Sequence, residues 1–367
     1  GAVRPAFSGY GRPQIDIAAE ICHMAGEHAA RQSAAPGASH GNRMKILLTG
    51  AAGFIGYHTA RRLLARGDRV FGLDNLNDYY PVSLKLNRLA QLKTHPNFEF
   101  RQGDVADPRL AETLPGEALD ADAIVHLAAQ AGVRYSIEAP LTYVGANVTG
   151  QVVMFELAAK LKQRPPIVYA SSSSVYGTDT QPPFSETARA DSPISVYAAT
   201  KRAGELLAHA YRDIHGIRST GLRFFTVYGR FGRPDMAPWL FTDAILRGKP
   251  ISVFNDGKMK RDFTHVDDIV AGVVAAADRI LARPDETERI YNLGNNSPVE
   301  LLDFIAAIEQ AAGRKAMMEM KPKPAGDVEL TYADIARAAR DLDFQPRVPL
   351  QEGMADFVGW YRDYAKL

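Results

Sequence analysis

Sulfur and net charge are both scarce in this sequence. Cys22 is the single cysteine among 367 residues, which excludes an internal disulfide framework and a metal site built from several cysteines. Lysine and arginine number 43 against 42 aspartates and glutamates, so no overall field would attract nucleic acid or an anionic membrane. No apolar run approaches the roughly 18 residues of a membrane-spanning helix. We therefore expect a cytoplasmic protein with no bound metal, whose anionic ligands are met by local residues.

The first part of the chain differs in composition from the rest. Residues 1–43 are rich in glycine, proline, alanine and serine, and they lack the uninterrupted apolar core of a secretory signal. This composition predicts a disordered N-terminal extension. Met44, just before the first strand pattern, is the expected start of the folded chain.

Apolar, strand-like runs alternate with helical patterns from Met44 onward. The strand-like runs are "KILLTG", "RVFGLD", "NFEFRQGD", "AIVHLAA", "PIVYASSSS" and "GLRFFTVYG". This alternation predicts right-handed βαβ units and a doubly wound parallel sheet of the α/β class. After about residue 226 the pattern becomes punctuated by proline and glycine. We therefore predict a Rossmann-type domain over residues 44–225, joined again by 263–296, and a smaller C-terminal lobe over 226–367.

A glycine triplet marks the turn from the first strand into the first helix. In "KILLTGAAGFIG" the glycines are Gly50, Gly53 and Gly56, where a backbone without Cβ can approach a pyrophosphate at a helix N-terminus. Asp74 ends the next strand, where a carboxylate can bind both hydroxyls of an adenosine ribose. Since that acid disfavours a 2′-phosphate, the pattern predicts NAD rather than NADP.

Other cofactor contacts are predicted at the ends of later strands. In "QGDVAD", Asp104 is positioned to meet the adenine amino group, and a turn or N-cap carboxylate is the open alternative. The small, apolar "VHLAAQAG" suits a cofactor that lies across the carboxyl edge of the sheet, although close packing would also explain it. With their neighbours, these stretches assign Phe54, Ile55, Asn75, Val105, Leu127, Ala128 and Ala129 to the cofactor site.

A tyrosine and a lysine share one face of a predicted helix. In "SVYAATKRAGE", Tyr197 and Lys201 lie one helical turn apart. The ammonium of Lys201 and the positive nicotinamide ring would favour the tyrosinate, so that Tyr197 becomes a usable base near neutral pH. Ser172, in the serine cluster that ends a strand, could share the proton of a substrate hydroxyl.

Motifs along Met44–Leu367 resemble one family. The stretches "TGAAGFIG", "HLAAQAGVR", "ASSSSVYG", "YAATK", "RFFTVYG" and "RDFTHVDDI" resemble the extended short-chain dehydrogenase/reductase family, in its nucleotide-sugar epimerase branch. "LDNLNDYYPVSLK" and "GRPDMAP" look most like the UDP-glucuronate 4-epimerases. The resemblance implies Tyr197 as base, Lys201 as its activator and a ribose contact, and Ser172 as hydrogen-bond partner. It also implies that Asn147 and Phe224 belong to the cofactor pocket.

The resemblance implies a UDP-sugar substrate in the C-terminal lobe. Arg261 matches a diphosphate contact and Asp327 a uridine-ribose contact, and surface or turn roles are their alternatives. Arg233 could pair with the C6 carboxylate of a uronic acid, and a neutral sugar would leave it unpaired. The remaining predicted substrate contacts are Ser173, Ser174, Thr226, Val253 and Phe254. We expect Arg230 to be exposed, as an arginine in a loop rich in glycine and proline usually is. Arg230 and Phe231 stand where the family loop commonly has proline and tryptophan.

Several other functions stay open at this point. Ser173 and Ser174 occupy positions where related dehydratases carry Asp-Glu and UDP-glucuronate decarboxylases carry glutamate, which favours plain 4-epimerisation. A UDP-glucose or UDP-N-acetylhexosamine 4-epimerase is an alternative if Arg233 points to solvent. A protein that binds NAD as a sensor without catalysis would be expected to lack the Tyr-Lys pair. The family usually forms homodimers, and we expect the same here.

Overall fold

The computed structural model describes residues 43–322 and 329–367. The predicted extension, apart from Arg43, and the predicted site residue Asp327 lie outside these ranges. The strands in them are β1 (Lys45–Thr49), β2 (Arg69–Asp74), β3 (Phe98–Gln102), β4 (Ala123–His126), β5 (Ile167–Ser172), β6 (Ser219–Phe224), β7 (Thr226–Tyr228), β8 (Pro250–Phe254), β9 (Lys260–His265), β10 (Glu288–Leu293), β11 (Pro298–Glu300), β12 (Met317–Lys321) and β13 (Leu330–Thr331).

The α-helices connect and cover these strands. In chain order they are α1 (Phe54–Arg66), α2 (Val82–Leu92), α3 (Leu110–Thr113), α4 (Gly116–Leu119), α5 (Tyr135–Glu138), α6 (Pro140–Tyr143), α7 (Gly150–Lys160), α8 (Val196–His215), α9 (Ala237–Arg247), α10 (Val266–Ala282), α11 (Leu301–Ala312), α12 (Ala336–Leu342) and α13 (Leu350–Ala365). A π-helical turn, Val144–Thr149, leads into α7. None of the helices within 43–322 and 329–367 is long and apolar enough to span a membrane.

Seven strands form one parallel sheet in the order β10-β6-β5-β4-β1-β2-β3. Side chains alternate between the two faces of a strand, and β1 shows the consequence. Ile46 and Leu48 pack into the core on one face, whereas Leu47 packs into the core on the other. A sheet covered on both faces by helices needs such continuous apolar strands. The predicted Rossmann-type fold is confirmed.

Later residues contribute both to the large sheet and to smaller ones. β10 pairs with β6 and forms one edge of the large sheet, and α10 packs against α1. β7, β11 and β13 pair with β9, and β8 pairs with β12. Side chains of β8, β9, α9, α11 and α13 enclose a third core. The carboxyl ends of β1, β2, β4, β5 and β6 meet at one edge of the large sheet, where ligands of such folds bind.

Candidate active site

In the turn after β1, the backbone at Gly50 lies very close to the backbone at Ala128 and at Gly56. Gly50 has φ +73°, and a Cβ on it would lie 2.8 Å from the amide nitrogen of Ala128. A Cβ on Gly56 would lie 2.0 Å from the carbonyl oxygen of Gly50. Only glycine fits at these positions, so the turn packs tightly below the N-terminus of α1, where the helix dipole favours a phosphate group.

Asp74 at the end of β2 is tied to this turn. One carboxylate oxygen accepts a hydrogen bond from the Ala52 amide at 3.1 Å, and the other accepts one from Leu76 at 2.9 Å. Nζ of Lys85 lies 3.9 Å from the carboxylate. Each oxygen keeps a further lone pair for a ligand hydroxyl.

Asp104 makes the turn contacts of the alternative role and also lines the cavity, and its contact with adenine stays a prediction. It accepts a hydrogen bond from the amide of Ala106 at 2.8 Å, which is a turn contact, and another from Nδ2 of Asn75 at 3.1 Å. It also lines the cavity above the glycine turn. A turn carboxylate can therefore still face a ligand.

A cavity runs along the carboxyl edge of the sheet, from the glycine turn to the start of α8. Most of the predicted site residues line its wall. They are Gly50, Gly53, Phe54, Ile55, Gly56, Asp74, Asn75, Asp104, Val105, Leu127, Ala128, Ala129, Ser172, Tyr197, Lys201, Phe224 and Arg233.

Tyr197 and Lys201 lie in the first two turns of α8. The side chain of Ser195 caps the helix by accepting a hydrogen bond from the Ala198 amide at 3.1 Å. Nζ of Lys201 donates a hydrogen bond to the carbonyl oxygen of Ala170 at 2.9 Å. Burial lowers the pKa of Lys201 to about 8, so this lysine keeps its charge at neutral pH.

Within the chain, the pKa of Tyr197 lies above its usual value. Burial raises it, while the Ser172 side chain, as hydrogen-bond partner, and the charge of Arg233 oppose that rise. Lys201 is not among the groups that lower the pKa of Tyr197 within the chain. Its ammonium is turned to the backbone of β5 instead. The joint effect of Lys201 and a nicotinamide ring on the phenol stays a prediction.

Glu205 fastens α8 to the sheet one turn beyond Lys201. Its carboxylate is 1% exposed and pairs with Arg223 of β6, which is 2% exposed. It also accepts a hydrogen bond from Oγ of Ser171 at 2.6 Å. Ser171 directly precedes Ser172, so the same network fixes α8 and the strand that carries Ser172.

Arg233 reaches the cavity from the loop after β7 and already has an anionic partner. Its Nε lies 3.0 Å and its Nη2 2.5 Å from the two carboxylate oxygens of Asp235. The hydroxyl of Tyr79 donates a hydrogen bond to the same carboxylate at 3.0 Å. The expectation that Arg233 lacks a partner without a uronic acid is therefore wrong.

Arg233, Asp235 and Tyr79 shift one another's pKa values. Burial alone would lower the pKa of Arg233, but Asp235 raises it well above its usual value. Burial alone would also raise the pKa of Asp235, but the charge and hydrogen bonds of Arg233 and the hydrogen bond of Tyr79 lower it. Burial and Asp235 together raise the pKa of Tyr79. Arg233 and Asp235 are both ionised at neutral pH, and Tyr79 keeps its proton.

Arg230, expected to be exposed, is instead part of a structural ion pair. Its Nε donates a hydrogen bond to Asp356 of α13 at 2.6 Å, and Nη2 binds the second carboxylate oxygen. Its carbonyl oxygen lies 2.8 Å from Nε2 of His58. Phe231 is buried at φ +57°, and its ring lies 4.8 Å from that of Trp360. These contacts fix the start of the loop that carries Arg233.

Comparison with known proteins identifies the family. The model of the NAD dependent epimerase/dehydratase family matches residues 46–294. The chain belongs to this family. The glycine turn at the N-terminus of α1 can bind a pyrophosphate, and Asp74 can accept hydrogen bonds from ribose hydroxyls, so the residues present fit NAD, the cofactor of the family.

Individual members of the family are also similar along most of the chain. UDP-glucuronate 4-epimerase 2 of Arabidopsis thaliana is 47% identical over 337 residues, which cover 89% of this chain and 77% of the relative. The crystal structure of a Bacillus cereus UDP-glucuronic acid 4-epimerase with UDP-glucuronic acid and NAD has a TM-score of 0.80 and 33% identity, and covers 88% of this chain and all of that one. A Thermotoga maritima UDP-glucose 4-epimerase with UDP-glucose has a TM-score of 0.76 and 28% identity, and covers 88% of this chain and all of that one.

Some residues predicted for this epimerase-family site do not line the cavity. Asn147 is buried and binds both the amide and the carbonyl of Gln130, at 2.8 and 3.0 Å, so it supports the wall from behind. Ser174 forms a hydrogen bond with Ser172 between their hydroxyls, at 3.2 Å. Ser173 and Thr226 likewise lie beside the wall, at the starts of their own elements.

Three predicted contacts of the C-terminal lobe, Val253, Phe254 and Arg261, do not line this cavity. Val253 is fully buried in the third core, which gives no support to its assignment as a substrate contact. The guanidinium of Arg134 lies 5.7 Å from the ring centre of Phe254. Arg261 donates hydrogen bonds to the carbonyl oxygens of Lys260 and Glu329, at 2.9 and 3.2 Å. Its neighbour Asp262 binds other groups, including the amide of Ala333.

Sequence reasoning missed part of the wall. The loop after β2 and the start of α2 add Asn77, Tyr79, Tyr80 and Lys85, and the loop after β7 adds Met236. The stretch "NDYYPVSLK" holds the first four, and its mixture of amides, phenols and a lysine beside Asp74 is the signal that could have identified them. Asp235 was missed because its role comes from its contact with Arg233, which the sequence does not show, and not from a place in the cavity wall.

Proposed function

We propose that this protein is a UDP-glucuronate 4-epimerase that interconverts UDP-glucuronate and UDP-galacturonate. The observation that carries the proposal is the position of Arg233 in the wall of the cavity that also contains Tyr197, Ser172 and the glycine turn. An arginine there can hold the C6 carboxylate of a uronic acid while its C4 hydroxyl lies at Tyr197. The similarity to UDP-glucuronate 4-epimerases supports the same substrate.

The reaction needs a base for the C4 hydroxyl. We assign this role to Tyr197, with Ser172 sharing the hydroxyl proton and Lys201 holding the ribose of the cofactor and adding positive charge. NAD supplies the hydride acceptor at C4 and the donor that returns the hydride to the opposite face. The proton of the C4 hydroxyl would pass to the phenolate of Tyr197, which lines the cavity. The positive charges of Lys201 and of bound nicotinamide would favour this phenolate against the effect of burial, which raises the pKa of Tyr197.

The uronic acid makes a side reaction possible. The 4-keto sugar is a β-keto acid, which loses CO2 when the bond to its carboxylate lies perpendicular to the carbonyl plane. Arg233 would hold the carboxylate away from this geometry. Ser173, Ser174 and Thr226 are assigned hydroxyl contacts at the same end, since they lie beside the cavity wall.

The two ligands divide between the two parts of the chain in this proposal. NAD lies against residues 44–225, with 263–296 returning to that part, and the UDP-sugar lies mainly against 226–367. Arg261 is assigned to the diphosphate and Phe254 to the UDP end. Asp327, outside the described residues, is assigned to the uridine ribose.

A second activity is favoured by a specific contact. Because Asp235 pairs with Arg233 inside the chain, a neutral sugar does not leave this arginine without a partner. UDP-glucose is therefore the substrate of the alternative activity, and the similarity to a UDP-glucose 4-epimerase agrees with it.

Product analysis separates the two activities. Incubation with UDP-glucuronate should give UDP-galacturonate, with a kcat/KM well above that for UDP-glucose, and neither UDP-pentose nor CO2. Conversion of UDP-glucose alone would establish the alternative. If NAD is bound and no sugar is converted, the protein is a sensor rather than an enzyme.

An apolar surface supports the proposal of a homodimer. Helices α5, α6 and α8 contact one another and expose large apolar side chains. Leu141 is 82% exposed, Ile137 76% and Leu206 56%. A second copy could cover this face, because monomeric proteins rarely expose such contiguous patches. The cytoplasm, where NAD and UDP-sugars are both present, is the proposed location.

A further inference from the structure

The side chains of Arg233, Asp235 and Tyr79 form a cluster at the sugar end of the cavity. Asp235 binds one edge of the guanidinium through Nε and Nη2, and Tyr79 fixes the carboxylate from the side of the β2–α2 loop. Arg233 and Asp235 are about one-fifth exposed, at 20% and 18%. Arg233 and Tyr79 line the cavity, whereas Asp235 does not.

This arrangement leaves the other edge of the guanidinium for a ligand. Nη1 of Arg233 forms no hydrogen bond with any side chain or backbone group of residues 43–322 and 329–367. A guanidinium has five donors in a fork, so one edge can hold Asp235 while the other holds a second carboxylate. The chain's own pair is neutral, and a bound uronic acid brings one net negative charge to the cluster.

The proposed epimerisation requires the carboxylate to move. The 4-keto sugar must turn over between the two hydride transfers, so its carboxylate has to leave Arg233 and return. If that carboxylate were the only partner of Arg233, its departure would leave a buried cation unpaired, and removing one partner from a buried ion pair is strongly unfavourable. The same arginine that binds the substrate would then oppose its rotation.

We propose that Asp235, held by Tyr79, is a positioning residue that keeps Arg233 paired while the sugar carboxylate leaves and returns. It weakens the grip of Arg233 on the uronic acid and thereby lowers the barrier to rotation. This inference rests on the proposed function. It assigns to Asp235 the effect of lowering the affinity for UDP-glucuronate while raising the rate of turnover.

The test replaces Asp235 by asparagine, which keeps the shape and an acceptor for Tyr79 but removes the charge. For UDP-glucuronate we expect D235N to lower both KM and kcat by about 5-fold or more, because Arg233 then has no charged partner except the substrate. The inhibition constant of UDP alone should stay within about 2-fold, since UDP does not touch the cluster. A merely structural role would raise KM and the UDP inhibition constant together.

Two control variants accompany D235N. Asp120→Asn removes the partner of Lys45 in an exposed ion pair whose two residues lie outside the cavity wall, and should leave KM and kcat within about 2-fold. Asp235→Glu keeps the charge and should restore most of the wild-type kcat. The inference is overturned if KM rises in D235N, or if KM falls while kcat is unchanged.

A measurement on the wild-type enzyme covers the case in which D235N does not fold. Since Asp235 keeps Arg233 paired, UDP-glucose should inhibit with a constant within about 10-fold of the KM for UDP-glucuronate. Discrimination of 10⁴-fold or more, which is typical of a site left with an unpaired polar group, would overturn the inference. Failure of the proposed function would give a different result, because the wild-type protein would then form no UDP-galacturonate at all.

Discussion

The carboxylate of Glu205, one helical turn beyond Lys201 in α8, accepts hydrogen bonds from Nε and Nη2 of Arg223, each at 2.8 Å. Replacing Glu205 by glutamine should lower the free energy of unfolding by about 3–5 kcal/mol, because it leaves the arginine charge buried without a partner. Urea unfolding measures this loss. Lys160→Gln, which breaks an exposed pair with Glu156, is the control and should change stability by less than about 0.5 kcal/mol. Equal effects of the two substitutions would contradict the prediction.

Gly56→Ala should abolish NAD binding in the purified protein. The new Cβ would meet the carbonyl oxygen of Gly50 at 2.0 Å, so the turn must move away from the phosphate position. Cofactor released on denaturation, measured by its absorbance, gives the readout. Gly359→Ala in α13, where no atom lies within 4 Å of the new Cβ, should keep its NAD and gain up to about 1 kcal/mol of stability. Retention of NAD by the Gly56 variant would be incompatible with the assigned site.

Sequence patterns were sufficient for the parts of the site that follow from local geometry. The glycine turn, the strand-end Asp74 and the pair Tyr197–Lys201 each depend on spacing within one element, and all of them line the cavity. The partners of Arg230 and Tyr79 lie 126 and 156 residues away in sequence. Such pairings depend on how loops fold onto distant helices, which periodicity does not encode.

The pKa shift of Tyr197 also depends on packing that local spacing does not encode. Spacing places Tyr197 and Lys201 one turn apart on α8, but it does not report where the lysine side chain points. Nζ of Lys201 turns to the carbonyl of Ala170 in β5, a contact set by the packing of helix on sheet. Burial of the phenol, which no single-sequence pattern reports, then determines the direction of the shift.

Stability should fall as pH drops below about 6.5, and His58 should be one cause. Burial lowers the pKa of His58 to about 3, so between pH 6.5 and 3 the unfolded chain binds a proton that the folded chain does not. At pH 5 this residue alone should cost about 2 kcal/mol. His58→Gln should therefore flatten the curve of unfolding free energy against pH between 7 and 5. The exposed His209, replaced by glutamine, is the control, and an unchanged slope in the His58 variant would refute the assignment.

Arg233→Ala should lower kcat/KM for UDP-glucuronate by roughly 10- to 150-fold, corresponding to a charge-assisted hydrogen-bond contribution of about 1.5–3 kcal/mol. Arg233→Lys should recover only part of this loss, because lysine keeps the charge but not the bidentate geometry. Mass spectrometry of the products should also detect decarboxylated UDP-sugar in the alanine variant. Unchanged turnover and no decarboxylated product would exclude a carboxylate contact at Arg233.

Leu141→Asp should convert a dimer into monomers, because it places a charge on the exposed apolar face of α5, α6 and α8. Sedimentation velocity of the wild type and the variant measures the change. Met317→Asp, at another exposed apolar position in β12, is the control and should remain dimeric. A wild-type protein that sediments as a monomer at high concentration would disprove the dimer directly.

The contacts that fix the start of the arginine loop limit how sugar specificity can be transferred. His58 of α1 binds the carbonyl of Arg230, Arg88 of α2 binds the carbonyl of Phe231 at 2.5 Å, and Asp356 of α13 binds the side chain of Arg230. Transplanting residues 229–236 into a relative would carry the arginine without the three helices that aim it. A successful graft would also have to include His58, Arg88 and Asp356. Selectivity for a uronic acid would therefore depend on the helices that hold the loop as much as on the loop itself.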